Sequence, residues 1–289
     1  MPSSLPAHPR PCVLAARAGP VPHGTTRTHP RDPALSRRTR PLGPGRPSRT
    51  IGGHPDTKEP PPVTSAVVPA TDAGLLRPRL LTRTEDGMRL PVLVWPAGPG
   101  WRMISNAVLG GGIGERGWVL NAQVAHGYRR TDPGHHLAEL AGAAGLDGEG
   151  VGLMTAADVE AHGRACDGGA VAVATAGVRV RGWAASPEPG ECGPQAPGTV
   201  NVIAALPVAL SDAALVNAVM TATEAKTQAL LEAGYDCSGT PTDAVCIAAR
   251  VPGEGEELHT FAGPRSLWGA RLARAVHRAV REATPVSGG

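Results

Sequence analysis

The stretch Gly198–Val245, GTVNVIAALPVALSDAALVNAVMTATEAKTQALLEAGYDCSGTPTDAV, constrains the fold more than any other part of the chain. It reads as strand, turn, long helix, glycine-rich turn, strand. Val200–Leu206 is an apolar strand interrupted only by Asn201. Ser211 supplies an N-cap for the helix and Gly234 its stop, because a serine side chain can accept from an orphan N–H and a glycine can leave the helix left-handed. Cys237–Thr242 is a turn, and Ala244–Ala249 the last strong strand. Polar residues sit inside this unit where a structural segment would be apolar: Asn201, Asn217, Thr221, Thr223, Glu224, Lys226, Thr240, Thr242 and Asp243.

The flanking sequence supplies more strands early and more helix late. Leu90–Trp95, Arg102–Val108 and Trp118–Ala125 read as strands, and Val63–Val68 as a weaker first one. Gly110–Gly114 (GGGIG) lacks the Gly-Lys-Ser/Thr ending of a phosphate loop and reads as a tight connection between strands. His135–Leu146 has apolar residues at helical spacing, and Thr155 is placed to cap a short helix through His162. Ala170–Gly177 and Val178–Trp183 read as strands, Ser186–Pro197 as a surface loop. Leu267–Ala283 closes the chain as a helix with Arg271, Arg274, Arg278 and Arg281 along one solvated face. The expected fold is one α/β domain over 63–284, a mixed β-sheet covered by helices, with a flexible end over 285–289.

Residues 1–62 stand apart. They hold half of the chain's 30 prolines, and nine arginines against Asp32, Asp56 and Glu59. Such a stretch cannot bury enough apolar surface to offset its ordering entropy, so a disordered tail is expected. A start codon assigned too far upstream in a Pro/Arg-rich reading frame would account for it. The tail carries more positive charge than the whole chain's net +3, which leaves the body acidic and argues against nucleic acid as a partner. The apolar runs are strand-length, so no membrane partner is expected. Five cysteines without a C-x-x-C suggest neither a zinc knuckle nor a disulfide framework and fit a reducing cytoplasm. His135-His136 beside Asp132 makes a poor metal site, because neighbouring residues on a helix diverge by about 100°.

The polar cluster points to chemistry on a neutral group. At about 100° per residue, Asn217, Thr221, Glu224 and Gln228 fall within about 60° of one another on the long helix. Lys226 points the other way, among Leu215, Val219, Ala222 and Leu230. It either snorkels, pairs with a buried acid such as Asp243, or binds a ligand. One helix cannot turn both faces to one pocket, so the stripe or Lys226 is functional and the other structural, unless the helix end is inserted between layers. Asn106, Asn121 and Asn201 lie in or at the ends of strands. Their amides both donate and accept, which suits carboxamides better than phosphates. The turn Ser238–Asp243 offers hydroxyls, backbone N–H groups and a carboxylate, the ingredients of an oxyanion hole beside a base. There is no G-x-S-x-G and no H-E-x-x-H.

These residues carry a resemblance. GTVNVI, LSDAALVNAVMTATEAKTQAL, SGTPTDAVCIA and FAGPRSLWGARLARAV, with ISNAVLGGG, WVLNAQVAHGY, VGLMTAADV and AVATAGV before them, are similar to the adenosylcobinamide amidohydrolases of corrinoid salvage over about Val92 to Val280. The turn Ser238-Gly-Thr-Pro-Thr-Asp243 departs from the more glycine-rich Thr-Gly-Thr-x-Thr-Asp that the family leads one to expect, and Pro241 stiffens it. The resemblance implies an amidohydrolase that cuts the bond between a corrin propionate and its aminopropanol arm. The partner it implies is a corrinoid small molecule, with no cofactor beyond the cobalt that arrives inside the substrate, and a homo-oligomer is left open. The expected catalytic residues are Glu224 or Asp243 as base, with Lys226 orienting it or protonating the amine. Substrate contacts are expected from Asn106, Asn121, Thr199, Asn201, Asn217, Thr221, Thr223, Thr240, Thr242 and Trp268. Trp101, Trp118 and Trp183 are further candidate shelves for the ring, with the core as their ordinary place. Two other readings compete: a self-processing amidase or acyltransferase with an N-terminal threonine, of layered α/β/β/α type, and a corrinoid-binding module without catalysis.

Overall fold

The structure, a computed structural model, describes residues 75–186 and 198–285. In chain order the elements are β1 (Arg79–Glu85), β2 (Met88–Trp95), β3 (Trp101–Ser105), β4 (Gly112–Glu115), β5 (Trp118–Gln123), α1 (Pro133–Ala143), β6 (Gly150–Thr155), β7 (Gly163–Asp167), β8 (Ala170–Gly177), β9 (Thr199–Ala209), α2 (Asp212–Glu232), β10 (Ala244–Arg250) and α3 (Leu267–Ala283). The strands form two mixed sheets, β1-β2-β5-β6 and β4-β3-β10-β9-β8-β7. Neighbours pair antiparallel except β5 with β6 and β9 with β10, which run parallel. Parallel neighbours need a crossover connection, and α2 is the one between β9 and β10.

Strand alternation stacks these elements into four layers. On one face of the larger sheet, Ala170, Ala172, Ala174, Val200, Val202, Ala204 and Leu206 meet α2 and α3. On its other face, Val171, Val173, Ile203, Ala205, Cys246 and Ala248 meet Leu93, Val119, Val151 and Leu153 of the smaller sheet. The far face of the smaller sheet, Val92, Val94, Leu120 and Ala122, packs on Leu137 and Ala141 of α1. The order is α1, small sheet, large sheet, α2 with α3. The helix-facing side of the large sheet is rich in alanine, which lets α2 lie close. Leu215 and Leu230 on α2 are fully buried there, each stabilising by about 1.5–3 kcal/mol.

The caps form where the sequence places them. The Ser211 side chain accepts from Ala214 N at 3.2 Å, and Gly234 leaves α2 at φ 88°; a further cap, Ser266, accepts from Gly269 N at 3.1 Å at the start of α3. Two expected elements do not form. The helix from Thr155 to His162 is replaced by the end of β6 and turns; the Thr155 hydroxyl accepts from Ala157 N at 3.0 Å, closing a tight local turn instead of a helix start. Val178–Trp183 makes only the single bridge Gly182–Gly239 rather than a strand. The glycine run is in part an edge strand, β4, and Gly110 is required where its backbone passes close to Gly150 at φ 69°. The tail over 1–62, Val63–Val68, 187–197 and 286–289 lie outside the described residues. Among the described residues no helix is long and apolar enough to cross a membrane.

Candidate active site

The turn before β10 is built around a buried ion pair. Lys226 lies on the sheet-facing side of α2, and its ammonium meets Asp243 Oδ2, with side-chain exposures of 7% and 12%. Asp243 Oδ1 accepts from Val200 N at 2.8 Å and lies 2.6 Å from the Thr240 hydroxyl; Oδ2 also accepts from Thr240 N at 3.2 Å. A side chain at Gly239 would collide with both Asp243 Oδ2 and Lys226 Nζ, so only glycine lets the turn pass over the pair. Gly198 O faces the Thr240 and Thr242 hydroxyls at 2.8 and 3.1 Å. Thr199 and Thr242 hydroxyls are 2.7 Å apart. The turn thereby ties the start of β9 to the start of β10.

The three asparagines have distinct places. Asn106, just past β3, donates to Asp243 O at 2.9 Å and accepts from Val245 N at 2.8 Å, extending the sheet with its side chain. Asn121 and Asn201 are both 1% exposed and bridge the two sheets. Asn201 Nδ2 donates to Asn121 Oδ1 at 2.9 Å and to Met154 O at 3.1 Å, while Asn121 Nδ2 donates to Thr175 Oγ1 at 3.0 Å. Asn201 Oδ1 is buried with no partner.

The polar stripe of α2 lies elsewhere. Thr221 donates to Ala262 O at 2.8 Å and Asn217 accepts from Ala262 N at 3.2 Å, pinning the segment that leads into α3. Thr223 is exposed and donates to Val219 O at 2.8 Å within its own helix. Glu224 and Gln228 line a groove of about 360 Å³ between α2 and α3, together with Arg274, His277 and Arg278. Arg274 and Arg278 both reach Asp167, at 2.6 and 2.9 Å, and Arg274 holds its carboxyl below the usual range. Trp268 lies near Pro207 and Gly169, towards the end of β9 away from Thr199, with Arg271 stacked 4.7 Å from its ring centre. Trp101 and Trp118 are core residues, and Trp183 is 46% exposed.

A second cavity, about 420 Å³, opens between the ends of the two sheets. The large sheet lines it with Asn106, Thr199, Pro241, Thr242 and Asp243; the small sheet with Met154, Thr155, Val124 and Tyr128. Asn106, Thr199, Thr242 and Asp243 therefore share one cleft, with Lys226 and Thr240 directly behind Asp243. The structure does not bring Glu224, Thr223 or Trp268 to it. Sequence reasoning missed the small-sheet wall. Tyr128 was legible only as part of WVLNAQVAHGY, and His136, whose Nδ1 is 3.1 Å from the Tyr128 hydroxyl, only as half of an unpromising histidine pair. Among the described residues no group of three or more His, Cys, Asp or Glu side chains is placed to hold a metal.

Comparison with known proteins gives consistent matches. The family model for adenosylcobinamide amidohydrolase matches residues 77–287. An adenosylcobinamide amidohydrolase of Methanosarcina mazei is 32% identical over 186 residues, which is 62% of this chain and 88% of that protein. One from Halobacterium salinarum is 44% identical over 86 residues, 29% of this chain and 35% of that protein. A crystal structure from Pyrococcus horikoshii OT3 covers 71% of this chain and 82% of its own at 12% identity, with a TM-score of 0.38 that is too low to support an argument.

Proposed function

The chain belongs to the adenosylcobinamide amidohydrolase family, and from that premise we propose that the cleft between the two sheets is where it works. The reaction is hydrolysis of the amide between the corrin propionate and the aminopropanol arm of adenosylcobinamide, giving adenosylcobyric acid for cobalamin salvage. A cleft of about 420 Å³ takes an arm of a macrocycle, not the macrocycle itself. The arm enters, and the corrin rests on the rim, where Val108 is 61% exposed beside the exposed Pro241.

The observation that carries this reading is the convergence of Asn106, Thr199, Thr242 and Asp243 on one cavity from three separate segments. Asp243 meets four donors, leaving it no free lone pair for an incoming water. Its role with Lys226 and Thr240 is to fix the turn that carries Thr242, whose hydroxyl pairs with that of Thr199 on the cavity wall; the pair donates its one free proton to the developing oxyanion of the scissile carbonyl. Asn106 holds the start of β10 in register beside them. Asn121 and Asn201 lock the two walls together one layer deeper. Asn217 and Thr221 act on the fold through the Ala262 segment.

Incubation with adenosylcobinamide, followed by chromatography of the corrinoids and assay of free aminopropanol, tests the reading. Both adenosylcobyric acid and aminopropanol are expected in equal amounts. Tight corrinoid binding without either product would leave a binding module instead.

A further inference from the structure

The small-sheet wall of the cleft holds a chain of three groups that the framework above does not use. Tyr128 lies after β5 and lines the cavity. Its hydroxyl is 3.1 Å from Nδ1 of His136 on α1, and the two rings lie nearly parallel, 8° apart in plane and 5.6 Å between centres. His136 is 4% exposed. Its Nε2 faces Glu85 Oε2, at the end of β1, at 3.5 Å. Arg83 forks onto the same oxygen at 3.0 and 2.7 Å and anchors to Gln123 O at 2.9 Å. The carboxylate beside Nε2 keeps the ring proton on that nitrogen, which leaves Nδ1 as an acceptor for the tyrosine.

We propose that Tyr128, His136 and Glu85 form the proton relay of the amide hydrolysis, with Tyr128 as the catalytic residue and His136 and Glu85 as positioning residues acting through it. This rests on the cleft being the site of reaction. A water attacks the amide carbon, the C–O bond forms and the carbonyl π pair moves onto oxygen. The proton from water passes to the Tyr128 oxygen as the tyrosine's own proton moves to Nδ1. The imidazolium so formed is held by Glu85. On collapse the C–N bond breaks, its electron pair stays on nitrogen, and that nitrogen takes a proton back from Tyr128, which recovers its own from His136. One water is consumed and the relay ends in its starting state.

The surroundings prepare both groups for this. Burial lowers the His136 pKa below the ordinary histidine value, against the pull of Glu85, with Arg130 and Arg83 lowering it further and Glu139 raising it. Burial raises that of Tyr128, opposed by Arg130. At neutral pH the imidazole is free to accept and the phenol still carries its proton. The contrast with the opposite wall is chemical: every oxygen of Asp243 is occupied, whereas the Tyr128 hydroxyl has only His136 as a described side-chain or backbone partner.

The test is the pH dependence of kcat for wild type, Y128F, H136Q and E85Q on adenosylcobinamide. Wild-type kcat should fall on the acid side with a midpoint below about 6.5, since a lowered His136 pKa is the one that must stay unprotonated. Y128F should lose about 10²-fold or more in kcat with KM little changed. In H136Q the acid limb should vanish along with most of the rate. In E85Q the limb should move to lower pH, because Glu85 is what holds that pKa up. A merely structural role for these residues would not move the limb. Should H136Q fail to fold, Y128F decides, as it removes one oxygen from the cavity wall. Wild-type turnover together with near-wild-type kcat in Y128F overturns the relay alone. Absence of turnover in the wild type overturns the cleft reading and the relay with it.

Discussion

The two walls of the cleft are built in opposite ways. On the large sheet, Asp243, Lys226, Thr240 and the starts of β9 and β10 saturate one another's hydrogen bonds. On the small sheet, Tyr128 and His136 meet through one bond, and Glu85 stands slightly beyond hydrogen-bond range of the ring. A saturated cluster holds position, and a chain with spare capacity moves protons. Of the two carboxylates expected as the base, Asp243 belongs to the saturated cluster, and Glu224 lies in the α2–α3 groove, on neither wall.

The contrast can be broken by removing one member at a time. Lys226→Ala should have the largest effect on stability: it strands a carboxylate that is 12% exposed, and loss of one partner of a buried pair costs about 3–5 kcal/mol. Urea unfolding measures this, and the double variant K226M/D243N should recover most of the loss. A small loss in K226A would mean that the pair is looser than the geometry requires. Next comes Asn201→Ala, which removes the link between the sheets and leaves Asn121 Oδ1 and Met154 O without their donor. About 1–3 kcal/mol is expected for the stranded groups, by the same measurement. Smallest is Glu224→Gln. Glu224 is exposed in the α2–α3 groove, so stability should stay within about 0.5 kcal/mol and turnover within about twofold. A large loss of turnover in E224Q with the fold intact would move the reaction to that groove.

Much of the fold was legible because it rests on local rules. Ala170–Gly177 and Leu267–Ala283 form with the bounds that periodicity and capping suggest, and the stretch from Thr199 to Arg250 folds as strand, helix and strand. The failures have physical causes. β1 is an edge strand, RLLTRTE, largely exposed and without apolar alternation. The Thr155 segment carries a capping residue, but its hydroxyl closes a local turn with Ala157 N. The helical wheel separated Lys226 from the Glu224 stripe, and the structure puts the two on different surfaces, Lys226 towards Asp243 and Glu224 in the α2–α3 groove. The small-sheet wall was illegible because Glu85, Tyr128 and His136 meet only through the packing of β1, the segment after β5 and α1. No spacing along the chain encodes that contact.

The most direct measurement is a crystal structure of the protein soaked with adenosylcobyric acid, the product whose new carboxylate marks the reacting carbon. The carboxylate is expected in the cleft between the sheets, within hydrogen-bond reach of Thr199 or Thr242 on one side and Tyr128 on the other, with the corrin on the rim by Val108. Density for the product in the α2–α3 groove, against Glu224 and Gln228, would contradict the assignment.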